Sequence, residues 1–172
     1  MIIIIDASTL INLVNGEVLL RVLHLPMTRF LVSGMVVEES KTIASVIKEA
    51  TVGGFLDLVD ADLISMSAFT KAKKELNLGD GETECILAAG IIPCHFACDD
   101  RAARKCAKKR LAPTAVMGSI GLLQRAVKSA VLTPEEAMSS YKKMVTHGGY
   151  LPELPFDHFD EFLGLDSLRS QP

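Results

Sequence analysis

Acidic residues come directly after two apolar segments of this chain. Asp6 follows the run Ile2–Ile5, and Asp99 and Asp100 follow the apolar residues 95–98. Short apolar runs of this kind are typical of buried strands in a parallel sheet, and ligands bind beyond the carboxyl ends of such strands. A carboxylate directly after a fully apolar strand is rarely there for stability, so we interpret Asp6 as a functional residue.

Two further segments place carboxylates at the starts of predicted helices. Glu38 and Glu39 follow the second predicted strand, and Asp80, Glu82 and Glu84 surround the start of a later helix. Acids are common at helix N-termini because the helix dipole favours them there. Glu38, Asp80 and Glu82 therefore keep the alternative interpretation of solvated helix-start residues. Together, the acidic segments can deliver carboxylates to one edge of the sheet.

Carboxylates that share a site repel one another, and each raises the pKa of its neighbours. A hard divalent cation relieves this repulsion, and a ligand set made only of oxygens favours Mg²⁺ or Mn²⁺. One or two such ions can orient a water molecule and stabilise an in-line displacement at phosphorus. The acids thus predict metal-assisted hydrolysis of a phosphate ester.

The segment after Asp100 is strongly basic. Six cations lie within Arg101–Arg110, although the whole chain carries a net charge of −3. A polyanion must therefore bind locally, and cations beside an acidic metal site suit the flanking phosphates of a phosphodiester. Arg101 and Arg104 lie nearest the acids and are the better candidates, whereas residues 108–110 fit a solubilising helix face equally well.

Several other functions lack their sequence signals. The motifs of dinucleotide-binding, P-loop and nucleophile-elbow proteins are absent, although residues 118–121 approach the last of these. The four cysteines are interpreted as reduced core residues rather than zinc ligands. Aromatic residues make up only 5% of the chain and Trp is absent, so base stacking is not expected to dominate binding. No apolar run is long enough for a membrane span and no signal peptide is recognised, so a cytoplasmic location is expected.

The pattern of apolar segments predicts an α/β domain over residues 1–150, with a strap or short helix over 151–172. Short strands alternating with helices indicate a parallel sheet covered on both faces. Predicted strands are Ile2–Ile5, 30–32, 63–66, 95–98 and 114–116. Predicted helices are 8–13, 17–25, 35–50, 68–76, 82–89, Arg101–Arg110, 118–129 and 134–147, with one more turn at 55–58.

Taken together, these segments resemble the PIN-domain nucleases, most closely the VapC-like branch of small prokaryotic PIN proteins. The resemblance rests on residues 3–13, 36–39, 78–86, 97–104 and 116–123 in the family's order and spacing. It implies a three-layer α/β/α sandwich with a mostly parallel sheet and an endoribonuclease that depends on Mg²⁺ or Mn²⁺. It also implies the toxin of a toxin–antitoxin pair, with RNA as substrate, an antitoxin protein as partner and a homodimeric state. The alternative is a PIN-like module that binds RNA or protein without cutting.

The resemblance also assigns roles to residues. Asp6 matches the first acid of the family and Glu39 the second, while Glu82 or Glu84 matches the third and Asp99 or Asp100 the fourth. The catalytic candidates are thus Asp6, Glu39, Glu82, Glu84, Asp99 and Asp100. The expected metal ligands are Asp6, Glu39, Glu82, Asp99 and Asp100. The expected substrate-binding residues are Ser8, Arg101, Arg104 and Lys105.

Overall fold

A computed structural model describes residues 1–112 and 115–154 of the protein. Its centre is a five-stranded sheet in the order β3-β2-β1-β4-β5. The strands are β1 (Ile2–Ile5), β2 (Arg29–Val32), β3 (Asp57–Leu58), β4 (His95–Ala97) and β5 (Val116–Met117). All four strand pairings are parallel, so the predicted α/β class is confirmed.

Helices surround this sheet. They are α1 (Ala7–Asn15), α2 (Leu19–Leu23), α3 (Gly34–Glu39), α4 (Ala44–Val52), α5 (Met66–Leu76), α6 (Asp80–Ile91), α7 (Arg101–Arg110), α8 (Ser119–Lys128) and α9 (Pro134–Thr146). Helices α1, α2, α8 and α9 pack together, and α5 and α7 both pack on α6. With right-handed crossovers these two groups cover opposite faces of the sheet. Among the described residues, no helix combines the length and apolar character that crossing a bilayer requires.

The central strand β1 is apolar because helices cover both of its faces. Ile3, Ile4 and Ile5 are completely buried, and they belong to a core that includes Leu10 of α1 and Ile86 of α6. A strand buried on both faces has no solvated side that would call for alternating polar residues. The chain first meets polar surroundings at the carboxyl end of β1, where Asp6 begins the turn into α1.

Three predicted elements are wrong. The helix predicted over 35–50 is divided into α3, a 3₁₀ turn at Lys41–Ile43 and α4, with the buried Ser40 ending α3. The turn predicted at 55–58 contains β3, and the strand predicted at 63–66 runs from a 3₁₀ turn into α5. Ser65 caps α5, its Oγ accepting from the Ala68 amide at 3.3 Å, and this ends the apolar run. The edge strand β3 is too short to produce a readable period.

The C-terminal boundary is described only in part. Leu154 is buried, its amide donates to the Tyr141 hydroxyl of α9 at 3.2 Å, and that hydroxyl donates to the Pro152 carbonyl at 2.9 Å. These bonds hold residues 152–154 against α9. The rest of the predicted strap, 155–172, lies outside the described residues, as does residue 114 of the last predicted strand, 114–116. The division at residue 150 therefore stays a prediction.

Candidate active site

The acids that end β1 and β4 meet at the point where the strand order reverses. From β1 the chain continues to β2 on one side, whereas β4 pairs with the other side of β1. A crevice forms beyond the carboxyl ends of the strands at such a switch point, and it is where ligands bind in open parallel sheets. Asp6 and Asp99 therefore lie at the same edge, and the Asp6 amide donates to the Ala97 carbonyl at 2.9 Å.

Asp6 is a buried carboxylate with one bonded and one unbonded oxygen. Its Oδ2 accepts from the Ser8 hydroxyl at 2.8 Å, the Ser8 amide at 3.2 Å and the Cys98 thiol at 3.3 Å. Its Oδ1 is buried without a hydrogen-bond partner among the described residues, and the residue is only 1% exposed. Burial raises the pKa of the Asp6 carboxyl despite these bonds. A buried, unpaired carboxylate oxygen is costly, which makes Oδ1 a candidate metal ligand.

Glu82 joins Asp6 from the N-terminus of α6. Ligand atoms of Asp6, Glu82 and Cys98 lie within 4.8 Å of one another. The Gly79 amide donates to Glu82 Oε2 at 2.9 Å in a capping box, which fixes this side chain beside the helix start. Burial raises the pKa of Glu82, and the negative charges of Asp6, Asp100 and Glu39 raise it further.

Helices α3 and α6 are linked by two glutamates, each of which accepts a hydrogen bond from a backbone amide of the other helix. Glu39, at the end of α3, accepts from the Gly81 amide of α6 at 3.0 Å, and Glu84 of α6 accepts from the Met35 amide of α3 at 3.0 Å. Gly81 permits this approach because a Cβ built on it would lie 2.6 Å from Glu39 Oε2. Glu84 therefore stabilises the start of α3, while Glu39 is close enough for its charge to act on Glu82.

Asp99 and Asp100 lie in different surroundings. Asp99 accepts from the Asn12 side-chain amide at 2.8 Å, the Ser119 amide at 2.9 Å and the Ser119 hydroxyl. Asp100 is exposed and caps α7, its Oδ1 accepting from the Ala103 amide at 2.8 Å. Asp99 thus ties the end of β4 to α1 and α8. Of these two acids, it is Asp100 whose charge contributes to raising the pKa of Glu82.

Ser8 connects the two strand ends. Its hydroxyl donates to Asp6 Oδ2 and accepts from the Asp99 amide at 3.0 Å. The remaining predicted substrate residues, Arg101, Arg104 and Lys105, line a groove that also includes Asp99. Of the three residues with a solvated alternative, Glu82 lies beside Asp6, Asp80 forms an ion pair with Lys73 at 2.5 Å, and Glu38 lines an open pocket together with Glu39.

Three residues beside Asp99 are not predicted from the sequence, namely Asn12, Ser119 and Gly118. Asn12 is a buried polar residue within the apolar pattern of α1, which is the one signal that sequence offers for it. Gly118 is required by close approach, since a Cβ there would lie 2.3 Å from Asp99 Oδ1 and 2.9 Å from Arg104 Nη1. The sequence predicts Cys98 as a core residue, and it is buried, but its thiol also donates a hydrogen bond to Asp6.

The protein has an α/β fold with a parallel sheet, and carboxylates lie together at its switch point, an arrangement suited to metal-assisted hydrolysis. The chain belongs to the PIN-domain family, because a family model described as PIN domain matches residues 2–159. This match confirms the predicted resemblance to the family, while the VapC-like branch stays a prediction. PIN domains are generally nucleases. No curated protein and no solved structure matches the chain.

The residues present fit a divalent cation. Asp6 Oδ1 lacks a partner, Glu82 is beside it, and none of Asp6, Glu39, Glu82 or Asp100 forms an ion pair within the described residues. Burial raises the pKa of the Cys98 thiol far above its ordinary range, and the charge of Asp6 adds to this. Cys98 is thus a hydrogen-bond donor here, and the oxygen-only ligand set that Mg²⁺ and Mn²⁺ prefer remains.

Proposed function

We propose that this protein is an endoribonuclease that depends on Mg²⁺ or Mn²⁺. The observation that carries the proposal is the buried Asp6 carboxylate, whose Oδ1 lacks a hydrogen-bond partner among the described residues and which has an oxygen within 4.8 Å of one on Glu82. Two neighbouring carboxylates repel each other while both are ionised, and a cation bound to both relieves that repulsion and gives the unpaired oxygen a partner. The membership in a family of nucleases supplies the class of substrate.

Asp6 and Glu82 would hold the cation, with Glu39, Asp99 and Asp100 adding negative charge around it. A bound cation activates a water molecule and stabilises the charge that develops on the phosphoryl oxygens. Ser8 and Cys98 both donate to Asp6 Oδ2, and this leaves Oδ1 for the metal. Glu84 acts indirectly, because it holds the start of the helix that carries Glu39.

The substrate's phosphates would bind to α7. Arg101, Arg104 and Lys105 lie on one face of this helix, and the groove that they line also includes Asp99. Cations next to the acidic site offset the repulsion between the carboxylates and the RNA backbone. Phosphate contacts of this kind position the strand without reading its sequence.

Cleavage of a labelled single-stranded RNA in EDTA, Mg²⁺ and Mn²⁺ tests the proposal. Asp6→Asn should lower the metal-dependent rate by more than about 100-fold, since even residues behind a metal ligand often cost 10- to 100-fold. Asp80→Asn is the matched control, because Asp80 lies on α6 in an exposed ion pair with Lys73 and should keep its activity. An Asp6→Asn protein with undiminished cleavage would remove Asp6 from the site.

The proposal extends to a role as the toxin of a toxin–antitoxin pair, acting in the cytoplasm as a homodimer. Induced expression should then slow growth, and the Asp6→Asn variant should not. Light scattering of the purified chain measures its oligomeric state. The alternative, a PIN-like module that binds RNA or protein without cutting, predicts bound RNA that stays intact in both metals.

A further inference from the structure

A groove of about 690 Å³ lies between α7 and the segment after α9. Four cations line it from α7, namely Arg101, Arg104, Lys105 and Lys108, and Tyr150 lines it from the other segment. The same groove includes Asp99, so it is continuous with the acidic site. A strand whose phosphate lies at the acids can therefore extend along α7.

The four cations form one row. Their spacing of three, four and seven residues from Arg101 places them on one helix face, over about 10 Å of the helix axis. Within residues 1–112 and 115–154, none of the four forms an ion pair. Arg110 on the same helix differs, because it is paired with Glu75 at 2.7 Å. The groove face of α7 thus carries four cations without an ion-pair partner among the described residues.

Tyr150 presents an aromatic ring opposite this row. It is 99% exposed, whereas the other tyrosine, Tyr141, is 5% exposed and bonded through its hydroxyl to Pro152 and Leu154. These bonds hold the segment directly after Tyr150 against α9. An exposed ring that lines the same groove as a set of cations combines the two elements of single-strand binding, which are a charged track for phosphates and a platform for bases.

We propose that Tyr150 stacks on one unpaired base of an RNA strand whose phosphates lie along α7. The inference rests on the proposed ribonuclease function and narrows its substrate to single-stranded RNA. Bases of a duplex are stacked within the helix and cannot lie flat on a ring in this groove. Stacking tolerates any base, so Tyr150 contributes affinity and position rather than sequence preference.

The test compares two oligomers in the Asp6→Asn background, where nothing is cut. One is an RNA of eight adenosines, and the other is its abasic counterpart with the same number of phosphates. Asp6→Asn protein should bind the adenosine oligomer about 5- to 100-fold more tightly, the range that one stacked base commonly supplies. Adding Tyr150→Ala should abolish this preference and leave the salt dependence unchanged, whereas Tyr150→Phe should keep the preference.

Tyrosine fluorescence gives a second readout, because the chain has two tyrosines and no Trp. The adenosine oligomer should quench the emission of Tyr150, and Tyr150→Phe should remove that quenching because Tyr141 is buried. A Tyr150→Ala protein that still prefers the adenosine oligomer overturns the inference, and so does a Tyr150→Phe protein that loses the preference. Metal-dependent cleavage by the unmutated protein is measured separately, so a failure of the proposed function is distinguished from a failure of stacking.

Discussion

Asp6 and Asp99 end neighbouring strands and are joined through Ser8, yet their surroundings are opposite. Both oxygens of Asp99 accept hydrogen bonds, from Asn12 and Ser119. Asp6 has donors on Oδ2 alone, and burial raises its pKa. The position of an acid at a strand end therefore does not define its role. The hydrogen-bond donors around the carboxylate oxygens distinguish the two acids: Asp99 has donors on both oxygens and links structural elements, whereas Asp6 keeps one oxygen without a donor among the described residues and is the candidate metal ligand.

The largest expected effect concerns the choice between Glu82 and Glu84 as partner of Asp6. Glu82→Gln should lower metal-dependent cleavage by more than about 100-fold, because a ligand of the cation is lost. Glu84→Gln keeps an oxygen for the Met35 amide and should lose less than about tenfold in cleavage rate. Its stability should fall by about 0.3–1 kcal/mol, since a charge at the start of α3 is removed. Steady-state cleavage and urea unfolding measure both effects, and equal loss in the two variants would contradict the distinction.

Stability should respond in opposite directions at Asp6 and Asp99. Asp99→Asn replaces an acceptor by an amide that faces other donors, which should destabilise the metal-free protein by about 1–3 kcal/mol. Asp6→Asn removes an unpaired buried charge and its repulsion with Glu82, so the metal-free variant should melt no lower than the parent. Chemical unfolding in EDTA tests this, with Asp80→Asn as reference. If both variants lose stability equally, the two acids are equivalent.

The smallest expected effect is the dependence of stability on pH. The pKa values of Asp6 and Glu82 are raised above their ordinary values of 3.8 and 4.5, chiefly by burial. The folded state therefore binds protons more readily at these carboxyls, and their contribution to metal-free stability rises as pH falls from 7 towards those ordinary values. The exposed Glu17 and Glu136 have lowered pKa values and act in the opposite direction.

The difference between the parent and an Asp6→Asn, Glu82→Gln protein isolates this contribution. Unfolding of both proteins is measured from pH 7 to pH 5 in EDTA, and the parent should gain stability relative to the variant as the pH falls. Added Mn²⁺ should raise the melting temperature of the parent more at pH 7 than at pH 5, because the ligands must lose their protons to bind. A parent whose metal response is the same at both pH values would contradict the assignment.

The sequence is sufficient to predict the features that depend on local pattern. The apolar run of β1 predicts a buried strand, and the acids after β1 and β4 predict one shared edge, as the structure confirms. Features that depend on distant partners are not accessible in this way. Asn12 and Asp99 are 87 residues apart when they bond, and nothing local marks Ser119 as their companion. The end of α3 at Ser40 cannot be predicted locally either, because the sequence does not show that this serine is buried.

The two glutamates that link α3 and α6 make each helix depend on residues of the other. Helix α3 has six residues, too few to be stable alone, and its first turn is held by Ser33 and by Glu84 from α6. Glu39 in turn approaches α6 only where a glycine leaves room for it. A substitution at Glu84 or Gly81 is therefore expected to displace Glu39 as well, so these three positions constrain one another.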